Sequence, residues 1–215
     1  MEIELIARLL KPFVQIGSLS QDQLSDISMY IDILLKWNAR MNLTSVRQPE
    51  EIIERHFGES LFAAQQIFPS GSAPGDRVRV VDVGSGAGFP GIPIKIWAPD
   101  INLTLIESNQ KKGTFLREVS RALELERVDV FNDRAENFTE HWADIVILRA
   151  VERFSTVLPV AIDVAKDGGK VALLIGTNQV DKARALDTLS WDSPIQVPNG
   201  SQRVILLGRT KSNLD

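Results

Sequence analysis

Strands and helices alternate along most of the chain after residue 76, and this pattern limits the fold more than any other feature. Runs rich in β-branched residues predict strands at 78–83, 101–107, 127–131, 144–148 and 170–175. Apolar residues with helical spacing lie between them, for example at 111–123 and 156–166. Parallel neighbours need a crossover connection, so this alternation predicts an α/β fold with a mostly parallel sheet covered on both faces.

The last part of the chain has a different pattern. Two short strands are predicted at 195–197 and 203–207, and a Pro-Asn-Gly-Ser sequence separates them. Two strands joined by such a turn predict an antiparallel hairpin at the end of the sheet.

The first seventy residues are predicted to be helical, because apolar residues recur there at spacings of three and four. Ser20 and Gln23 have the spacing of a capping box at a helix start. A linker rich in proline, glycine and serine follows at 69–75. We therefore expect a helical N-terminal extension at 1–70, packed on a second domain at 76–215.

The composition excludes several kinds of chemistry. The chain of 215 residues has no cysteine, which excludes disulfides, thiolate metal sites and cysteine nucleophiles. With only two histidines, His56 and His141, we expect no metal site. The net charge of −4 excludes a strongly basic chain, so any contact with a nucleic acid must involve a local patch.

The sequence gives no sign of membrane insertion or export. No stretch approaches the roughly 20 apolar residues that span a bilayer. The N-terminus lacks the basic and apolar regions of a signal peptide. We therefore expect a cytoplasmic protein without membrane contact.

A glycine-rich loop directly follows the first predicted strand. The segment 81–91 has the sequence VDVGSGAGFPG, with four glycines in its last eight residues. Glycine allows the backbone to turn sharply and to approach a ligand closely. The loop therefore predicts a ligand site rather than a turn without a ligand.

One interpretation of the loop is a dinucleotide site. Gly86, Gly88 and Gly91 satisfy the pattern G-x-G-x-x-G. Glu107 ends the next predicted strand, where a carboxylate can bind ribose hydroxyls. This interpretation predicts an NAD(P)-dependent oxidoreductase.

The other interpretation uses Asp82, Gly84, Gly86 and Gly88, which form the pattern D-x-G-x-G-x-G. This pattern is similar to the first motif of methyltransferases that use S-adenosylmethionine. A pyrophosphate is anionic and suits a helix N-terminus, whereas the sulfonium and ammonium groups of S-adenosylmethionine are cationic. The carboxylate of Asp82 suits those cations and would repel a pyrophosphate, which favours the methyl donor.

A longer set of residues is more specific than the loop. The set comprises, in chain order, NLTSVR at 42–47, FPGIP at 89–93 directly after the loop's glycines, ES at 107–108, RAE at 134–136 and RA at 149–150. With these segments the chain resembles the bacterial 16S ribosomal RNA methyltransferases that act on guanine N7, historically called glucose-inhibited division protein B. The resemblance covers most of the chain and implies a Rossmann-like methyltransferase fold. Leu148, Glu152 and Ile175 differ from the residues usual in that family.

The resemblance implies S-adenosylmethionine as cofactor, S-adenosylhomocysteine as product, and 16S ribosomal RNA or the small ribosomal subunit as partner. The expected cofactor-binding residues are Asp82, Gly84, Gly86, Phe89, Glu107, Ser108, Asn109, Ala135, Glu136 and Arg149. For the guanine we expect Asn42, Arg134 and Arg149 as positioning residues, since an amide both donates and accepts and a guanidinium donates to O6 or a phosphate. We expect no general base, because guanine N7 has a lone pair and no proton. A monomer is expected.

Other interpretations stay open from the sequence alone. A non-catalytic module that binds RNA or a ribosome-associated partner would keep this fold, and a small-molecule methyltransferase would suit the acidic charge. Arg40, Arg47 and Arg55 form either a local RNA-binding patch or ion pairs with nearby glutamates. Asn42 could simply close a turn, and His56 is expected to have a structural role.

Overall fold

The computed structural model describes residues 1–14, 19–73, 78–149 and 154–211. Its α-helices are α1 (Ile3–Leu10), α2 (Gln21–Asn38), α3 (Pro49–Ile52), α4 (Glu59–Ile67), α5 (Gly91–Trp97), α6 (Gln110–Ala122), α7 (Phe154–Val164) and α8 (Val180–Arg184). A π-helical segment, Ile53–Gly58, joins α3 to α4, and short 3-10 helices cover Ala135–Asn137 and Thr177–Gln179. Its strands are β1 (Arg79–Val83), β2 (Asn102–Ile106), β3 (Val128–Phe131), β4 (Ala143–Arg149), β5 (Ala165–Gly176), β6 (Leu189–Trp191), β7 (Ile195–Gln196) and β8 (Arg203–Thr210).

The strands of the described chain form one sheet in the order β3-β2-β1-β4-β5-β8-β6, with β7 paired to β8. Neighbours among β1 to β5 are parallel. β8 is antiparallel to β5, β6 and β7. The predicted α/β fold, with its mostly parallel sheet and terminal antiparallel hairpin, is confirmed. The strand order reverses between β1 and β4, and ligands bind at the carboxyl edge near such a reversal.

The region around α7 and β5 differs from the prediction. The helix predicted at 156–166 ends at Val164, and β5 begins at Ala165 rather than at Lys170. Ala165 pairs with Ala143, and the register then shifts before Lys170 pairs with Ile145. The extra residues between these pairs include Gly168, whose φ of 69° suits a glycine. The short strand β6 was also not predicted, because three residues carry too little alternation to mark a strand.

Helix α2 begins where its predicted capping residue, Ser20, places it. Gln23 N–H donates to Ser20 Oγ at 3.1 Å, and Ser20 N–H donates to Gln23 Oε1 at 2.9 Å, which completes the capping box of α2. The Gln23 amide also donates to Ile96 O at 2.9 Å. The start of α2 is therefore tied to the end of α5.

Hydrophobic clusters cover both faces of the sheet. On one face, apolar side chains from α1 to α4 pack together with those of α5, α6 and the strands in a single cluster. On the other face, α7 and α8 cover the strands. The N-terminal helices therefore pack on the same face as α5 and α6, beside the carboxyl edge of β1.

Two features are absent from the described ranges. No helix there combines the length and the apolar character needed to cross a bilayer. Nor do three or more histidine, aspartate or glutamate side chains in those ranges lie together in a group that could hold a metal ion.

Candidate active site

A cavity of about 230 Å³ opens at the carboxyl ends of β1, β2 and β3. Three strand ends contribute to its lining: Gly84 after β1, Glu107 and Ser108 after β2, and 133–136 after β3. Two valines of α7 lie on another side. Ligands bind outside the carboxyl ends of the strands in open parallel sheets, so this cavity is the candidate active site.

The glycine loop turns sharply beside the cavity. Gly84, Gly86 and Gly88 have φ angles of 73°, 58° and 85°. Residues with a Cβ rarely adopt this region of backbone conformation. The N–H groups of Gly84 and Ser85 donate to Ile106 O at 2.9 and 3.0 Å. The glycine spacing is therefore needed to bring the loop back against the end of β2.

Glu107 connects the loop to the cavity. It is only 7% exposed, and its two oxygens accept backbone hydrogen bonds, from Gly86 at 2.9 Å and from Asn109 at 2.7 Å. Each carboxylate oxygen has a second lone pair. Glu107 can therefore hold the loop and accept hydrogen bonds from a ligand in the cavity at the same time.

The cavity has a negative character. Its lining includes the carboxylates of Glu107, Asp133 and Glu136 and the guanidinium of Arg134. Hydrogen bonds from the Asn137 amide at 2.9 Å and from the Arg134 N–H at 2.7 Å lower the pKa of Asp133 below its ordinary value. Asp133 is therefore ionised at neutral pH, and the cavity suits a cationic ligand better than a pyrophosphate.

Asp82 lies below the glycine loop and is fully buried. Its Oδ2 accepts a hydrogen bond from Gly91 N–H at 3.0 Å, at the start of α5. Its Oδ1 has no hydrogen-bond partner among the described residues. Burial raises the pKa of Asp82 to about 7. Asp82 is not part of the cavity lining, so its direct contact with a cofactor stays a prediction.

Of the other residues predicted to bind the cofactor, Gly86, Phe89 and Asn109 are not part of the cavity lining. Ser108, Ala135 and Glu136 line the cavity. Asn109 instead caps α6, since its Oδ1 accepts hydrogen bonds from two N–H groups of the first helical turn at 3.0 and 3.1 Å. The structure therefore gives Asn109 a structural role in holding the start of α6 next to Glu107.

The side chain of Arg149 contacts the N-terminal helices and not the cavity lining. Its Nη2 donates to Arg55 O at 2.7 Å and lies 3.2 Å from Glu59 Oε2. The side chains of this ion pair are 10% and 9% exposed, and Arg203 forms a second ion pair with Glu59. The guanidinium also lies 6.0 Å from the centre of the Phe89 ring. Arg149 therefore joins the end of β4 to the π-helical segment.

His56 extends this cluster to the loop before α3. Its Nδ1 lies 3.0 Å from Arg149 Nη2, and its Nε2 lies 2.7 Å from Thr44 Oγ1. A guanidinium can only donate, so Nδ1 accepts and Nε2–H donates to Thr44. Burial and the neighbouring charge of Arg149 lower the pKa of His56 to about 3. The neutral ring also stacks on Phe89, with centroids 4.8 Å apart, which agrees with the structural role expected for His56.

The neutral state of His56 predicts a pH-dependent contribution to stability. The unfolded chain protonates His56 near the ordinary pKa of 6.5, whereas the folded protein does so only near a pH of about 3. The stability from this group is therefore fully present above pH 6.5 and is lost as the pH falls toward 3. We expect urea unfolding to show that the stability advantage of the wild type over His56→Gln shrinks as the pH falls below 6.5.

The comparison with His56→Gln is needed because Asp82 acts in the opposite sense. The raised pKa of Asp82 makes the folded protein bind an extra proton between pH 3.8 and about 7. The contribution of Asp82 to stability therefore decreases as the pH rises. Because the wild type and His56→Gln both contain Asp82, this contribution cancels in the difference between their stabilities. A difference that stays constant over this range would contradict a neutral, buried His56.

Arg134 lies in the cavity lining, whereas Asn42 and the three arginines of the predicted RNA-binding patch lie on the surface outside it. Asn42 Oδ1 accepts a hydrogen bond from Arg47 Nη2 at 3.3 Å. Arg55 pairs with Glu51 at 2.6 Å, and Arg40 is exposed. These contacts are those of a closed turn and of surface ion pairs. The roles of these residues toward RNA stay predictions.

Two of the three positions that depart from the family's usual residues are buried. Leu148 is 0% exposed and Ile175 is 4% exposed, and both belong to the cluster under α7. They therefore affect the packing of β4 and β5 rather than the cavity surface. Glu152, and Ala150 of the Arg-Ala pair, lie outside the described residues.

Sequence reasoning missed two residues near the site. Asp133 lines the cavity, and its place directly after a predicted strand and before Arg134 could have identified it. Tyr30 of α2 donates a hydrogen bond to Ala87 O in the glycine loop. No motif marks Tyr30, because it lies among the apolar residues of α2 that form the core.

Several solved structures have the same fold as this chain. The chain aligns with P. horikoshii TYW2 in complex with MeSAdo at a TM-score of 0.58, with 20% identity over 73% of this chain and 63% of that chain. It aligns with a ribosomal protein L11 methylase from Lactobacillus delbrueckii subsp. bulgaricus at a TM-score of 0.58, with 14% identity over 73% and 79% of the two chains. It aligns with a SAM dependent methyltransferase from Aquifex aeolicus at a TM-score of 0.57, with 15% identity over 76% of this chain and 94% of that chain. The fold is that of S-adenosylmethionine-dependent methyltransferases.

Sequence relatives define the family. The model of the family described as "GidB: rRNA small subunit methyltransferase G" matches residues 23–198. A Ribosomal RNA small subunit methyltransferase G from Desulfitobacterium hafniense is 39% identical over 171 residues, which are 77% of this chain and 68% of that protein. The protein of the same name from Bacillus cytotoxicus is 36% identical over 208 residues, or 90% of this chain and 85% of that protein. This chain belongs to the rRNA small subunit methyltransferase G family.

Membership of this family decides between the interpretations of the glycine loop. The protein is an S-adenosylmethionine-dependent methyltransferase of small-subunit ribosomal RNA. The predicted family, enzyme class, methyl donor and class of RNA are confirmed. The oxidoreductase interpretation, which used the same loop, is wrong.

Proposed function

We propose that this protein transfers a methyl group from S-adenosylmethionine to N7 of a guanine in 16S ribosomal RNA, and that the cavity beside β1, β2 and β3 holds the cofactor. The observation that carries the proposal is the convergence of three strand ends on one acidic cavity, through Gly84, Glu107–Ser108 and Ala135–Glu136. The family of the chain supports the same reaction.

The residues around the cavity fit the chemistry of the cofactor. When bound, S-adenosylmethionine supplies a methyl group that is activated by a cationic sulfonium. Glu107 would accept hydrogen bonds from the ribose hydroxyls, because its oxygens keep a lone pair after binding two backbone N–H groups. The Ala135 backbone and the Glu136 carboxylate would contact the edge of the adenine. Asp133, which is ionised at neutral pH, would favour a cation over a pyrophosphate.

The acceptor needs to be positioned rather than activated. Guanine N7 has an in-plane lone pair and no proton, so the reaction needs no general base before attack. Holding N7 in line with the methyl group supplies the catalysis. Arginine often donates to both N7 and O6 of guanine, but here N7 must stay free. We propose Asn42, Arg134 and Arg149 as positioning residues. Asn42 would donate to and accept from the guanine, Arg134 would donate to O6 or to a phosphate, and Arg149 would lie at the mouth of the site.

Contacts to the RNA backbone are assigned to a local patch. Arg40, Arg47 and Arg55 are exposed on the N-terminal part of the chain, and arginine contacts to phosphates fix the register of a protein on a nucleic acid. A net charge of −4 gives no general attraction to RNA. The proposal also includes a monomeric, cytoplasmic protein with an RNA-facing extension at 1–70 and a catalytic domain at 76–215.

Replacing Asn42 with alanine separates substrate positioning from cofactor binding. We expect Asn42→Ala to slow methyl transfer about tenfold, the effect of one lost hydrogen bond to the guanine, and to leave the affinity for S-adenosylmethionine unchanged. Transfer rates and calorimetric titrations measure the two effects. Ser45→Ala, an exposed change in the same loop, is the matched control. An equal loss of activity in both variants, or a loss of helical signal in circular dichroism, would instead support the turn-closing role.

The reaction itself is tested with small ribosomal subunits that lack the modification. Methyl-labelled S-adenosylmethionine is supplied with the protein, and the RNA is then digested to nucleosides. We expect the label in 7-methylguanosine. Label in another nucleoside would overturn the assignment of guanine N7. If the RNA carries no label although the protein binds the cofactor, the assignment of 16S ribosomal RNA as the acceptor would be overturned.

A further inference from the structure

One side chain of the N-terminal helices contacts three successive residues of the glycine loop. Tyr30 lies on α2 and is 0% exposed. Its hydroxyl donates a hydrogen bond to Ala87 O, and a Cβ at Gly88 would clash with that hydroxyl. Its ring stacks on Phe89 with centroids 5.2 Å apart and an angle of 5° between the planes. The ring also meets Phe57 edge-on at 5.1 Å.

The other hydrogen bonds that hold the backbone of the loop have partners in the neighbouring strand or close in the sequence. The N–H groups of Gly84 and Ser85 donate to the end of β2, and that of Gly86 donates to the carboxylate that follows β2. The carbonyl of Ala87 differs, since its partner is 57 residues away on α2. Ala87 is 6% exposed, so water has little access to replace the phenol if it is removed.

We propose that Tyr30 is a positioning residue that fixes the conformation of the glycine loop and so makes cofactor affinity depend on the packing of the N-terminal helices. The inference rests on the cofactor site proposed above. If RNA contacts the N-terminal helices, binding of RNA and of the cofactor are linked through this contact. Such a linkage is reciprocal, so each ligand would change the affinity for the other by the same factor.

The hydroxyl is suited to this role because it stays a donor. Burial, together with the nearby carboxylate of Asp82, raises the pKa of Tyr30 well above its ordinary value of 10. The phenol is therefore protonated at neutral pH. The ring contacts with Phe57 and Phe89 limit its rotation, so the hydroxyl is held toward the loop.

Tyr30→Phe tests the inference, since it removes the hydroxyl and keeps the ring. We expect the dissociation constant for S-adenosylmethionine, measured by calorimetry, to rise about tenfold. The KM for S-adenosylmethionine should rise by the same factor, while kcat at saturating cofactor should stay at the wild-type value. A substitution that only weakened the core would lower the melting temperature, but it would not raise KM while leaving kcat unchanged.

Ser28→Ala is the matched control. It removes a hydroxyl of the same helix, which donates to Met1 O at 2.9 Å and has no contact with the loop. We expect it to lower the melting temperature and to keep the wild-type affinity for S-adenosylmethionine. If Tyr30→Phe behaves like Ser28→Ala, Tyr30 is an ordinary core residue and the proposal is overturned.

Glu107→Gln separates failure of this inference from failure of the cofactor site. If Glu107→Gln binds S-adenosylmethionine weakly while Tyr30→Phe binds it normally, the site stands and the role of Tyr30 is rejected. If Glu107→Gln also binds normally, the cofactor site itself is wrong, and the inference about Tyr30 is rejected with it.

A second measurement needs no substitution that could impair folding. The chain has a single tyrosine, so labelling with 3-fluorotyrosine gives one fluorine resonance that belongs to position 30. We expect this resonance to shift during titration with S-adenosylmethionine, with a midpoint at the calorimetric dissociation constant. A resonance that does not move at saturation would overturn the proposal.

Discussion

Arg149→Met is expected to lower the free energy of unfolding by about 3 kcal/mol, because it removes one of the two cations that pair with the buried carboxylate of Glu59. The side chains of Arg149 and Glu59 are 10% and 9% exposed, so water cannot easily replace the lost partner. The acceptors Arg55 O and His56 Nδ1 would also lose their hydrogen bonds. Urea unfolding followed by circular dichroism measures the change, and the methyl-transfer rate of the remaining folded protein should fall as well.

Two further variants test whether this loss comes from the buried cluster. Arg149→Lys keeps the charge but not the planar donor group, so we expect it to restore only part of the stability. Arg79→Met removes an ion pair with Asp144 in which the arginine is 41% exposed, and it should cost about 1 kcal/mol or less. Equal losses for Arg149→Met and Arg79→Met would show that the buried cluster does not join β4 to the N-terminal helices.

Glu107→Gln is expected to weaken the binding of S-adenosylmethionine by about 1–3 kcal/mol, which is the effect of losing hydrogen bonds to a charged acceptor. Both carboxylate oxygens accept backbone N–H groups, from Gly86 and Asn109. An amide has one oxygen only, so its NH₂ group would face one of these donors. The variant therefore disturbs the glycine loop and also removes an acceptor for the ribose. Calorimetric titration with S-adenosylmethionine measures the loss.

The matched control is Glu118→Gln on α6. Glu118 accepts one hydrogen bond from Trp37 Nε1 at 3.0 Å, and an amide oxygen can keep this bond. We expect its affinity for S-adenosylmethionine to equal that of the wild type. If Glu107→Gln binds S-adenosylmethionine with wild-type affinity, Glu107 is not part of the cofactor site.

The parts of the fold that could be predicted from sequence are those with local signals. β-branched runs predicted the five parallel strands, and the glycine spacing predicted the loop after β1 because the backbone there needs positive φ angles. The predicted start of β5 was wrong because its first residues are held in the strand by pairing with β4 and not by their own β-propensity. β6 depends in the same way on pairing with β8.

The site was predictable only in part, because some of its contacts join segments that are distant in the sequence. Gly84 and Glu136 come after predicted strands and Glu107 ends one, and the ends of parallel strands meet at one edge of a sheet. The pairing of Arg149 with Glu59 joins residues 90 positions apart, and neither residue lies in a pattern that points to the other. The contact of Tyr30 with Ala87 joins residues 57 positions apart. Such contacts depend on how the N-terminal helices pack, which no local spacing describes.

The central claim is that the acidic cavity at the ends of β1, β2 and β3 holds the cofactor, and a crystal structure of the protein with S-adenosylhomocysteine tests it most directly. The account predicts the adenosine between Gly84 and Glu136, with the ribose hydroxyls hydrogen-bonded to Glu107. A second cavity of about 320 Å³, lined in part by Lys170 and Arg209, lies toward the other end of the sheet. Density for the ligand in that cavity, or a ribose without contact to Glu107, would contradict the claim.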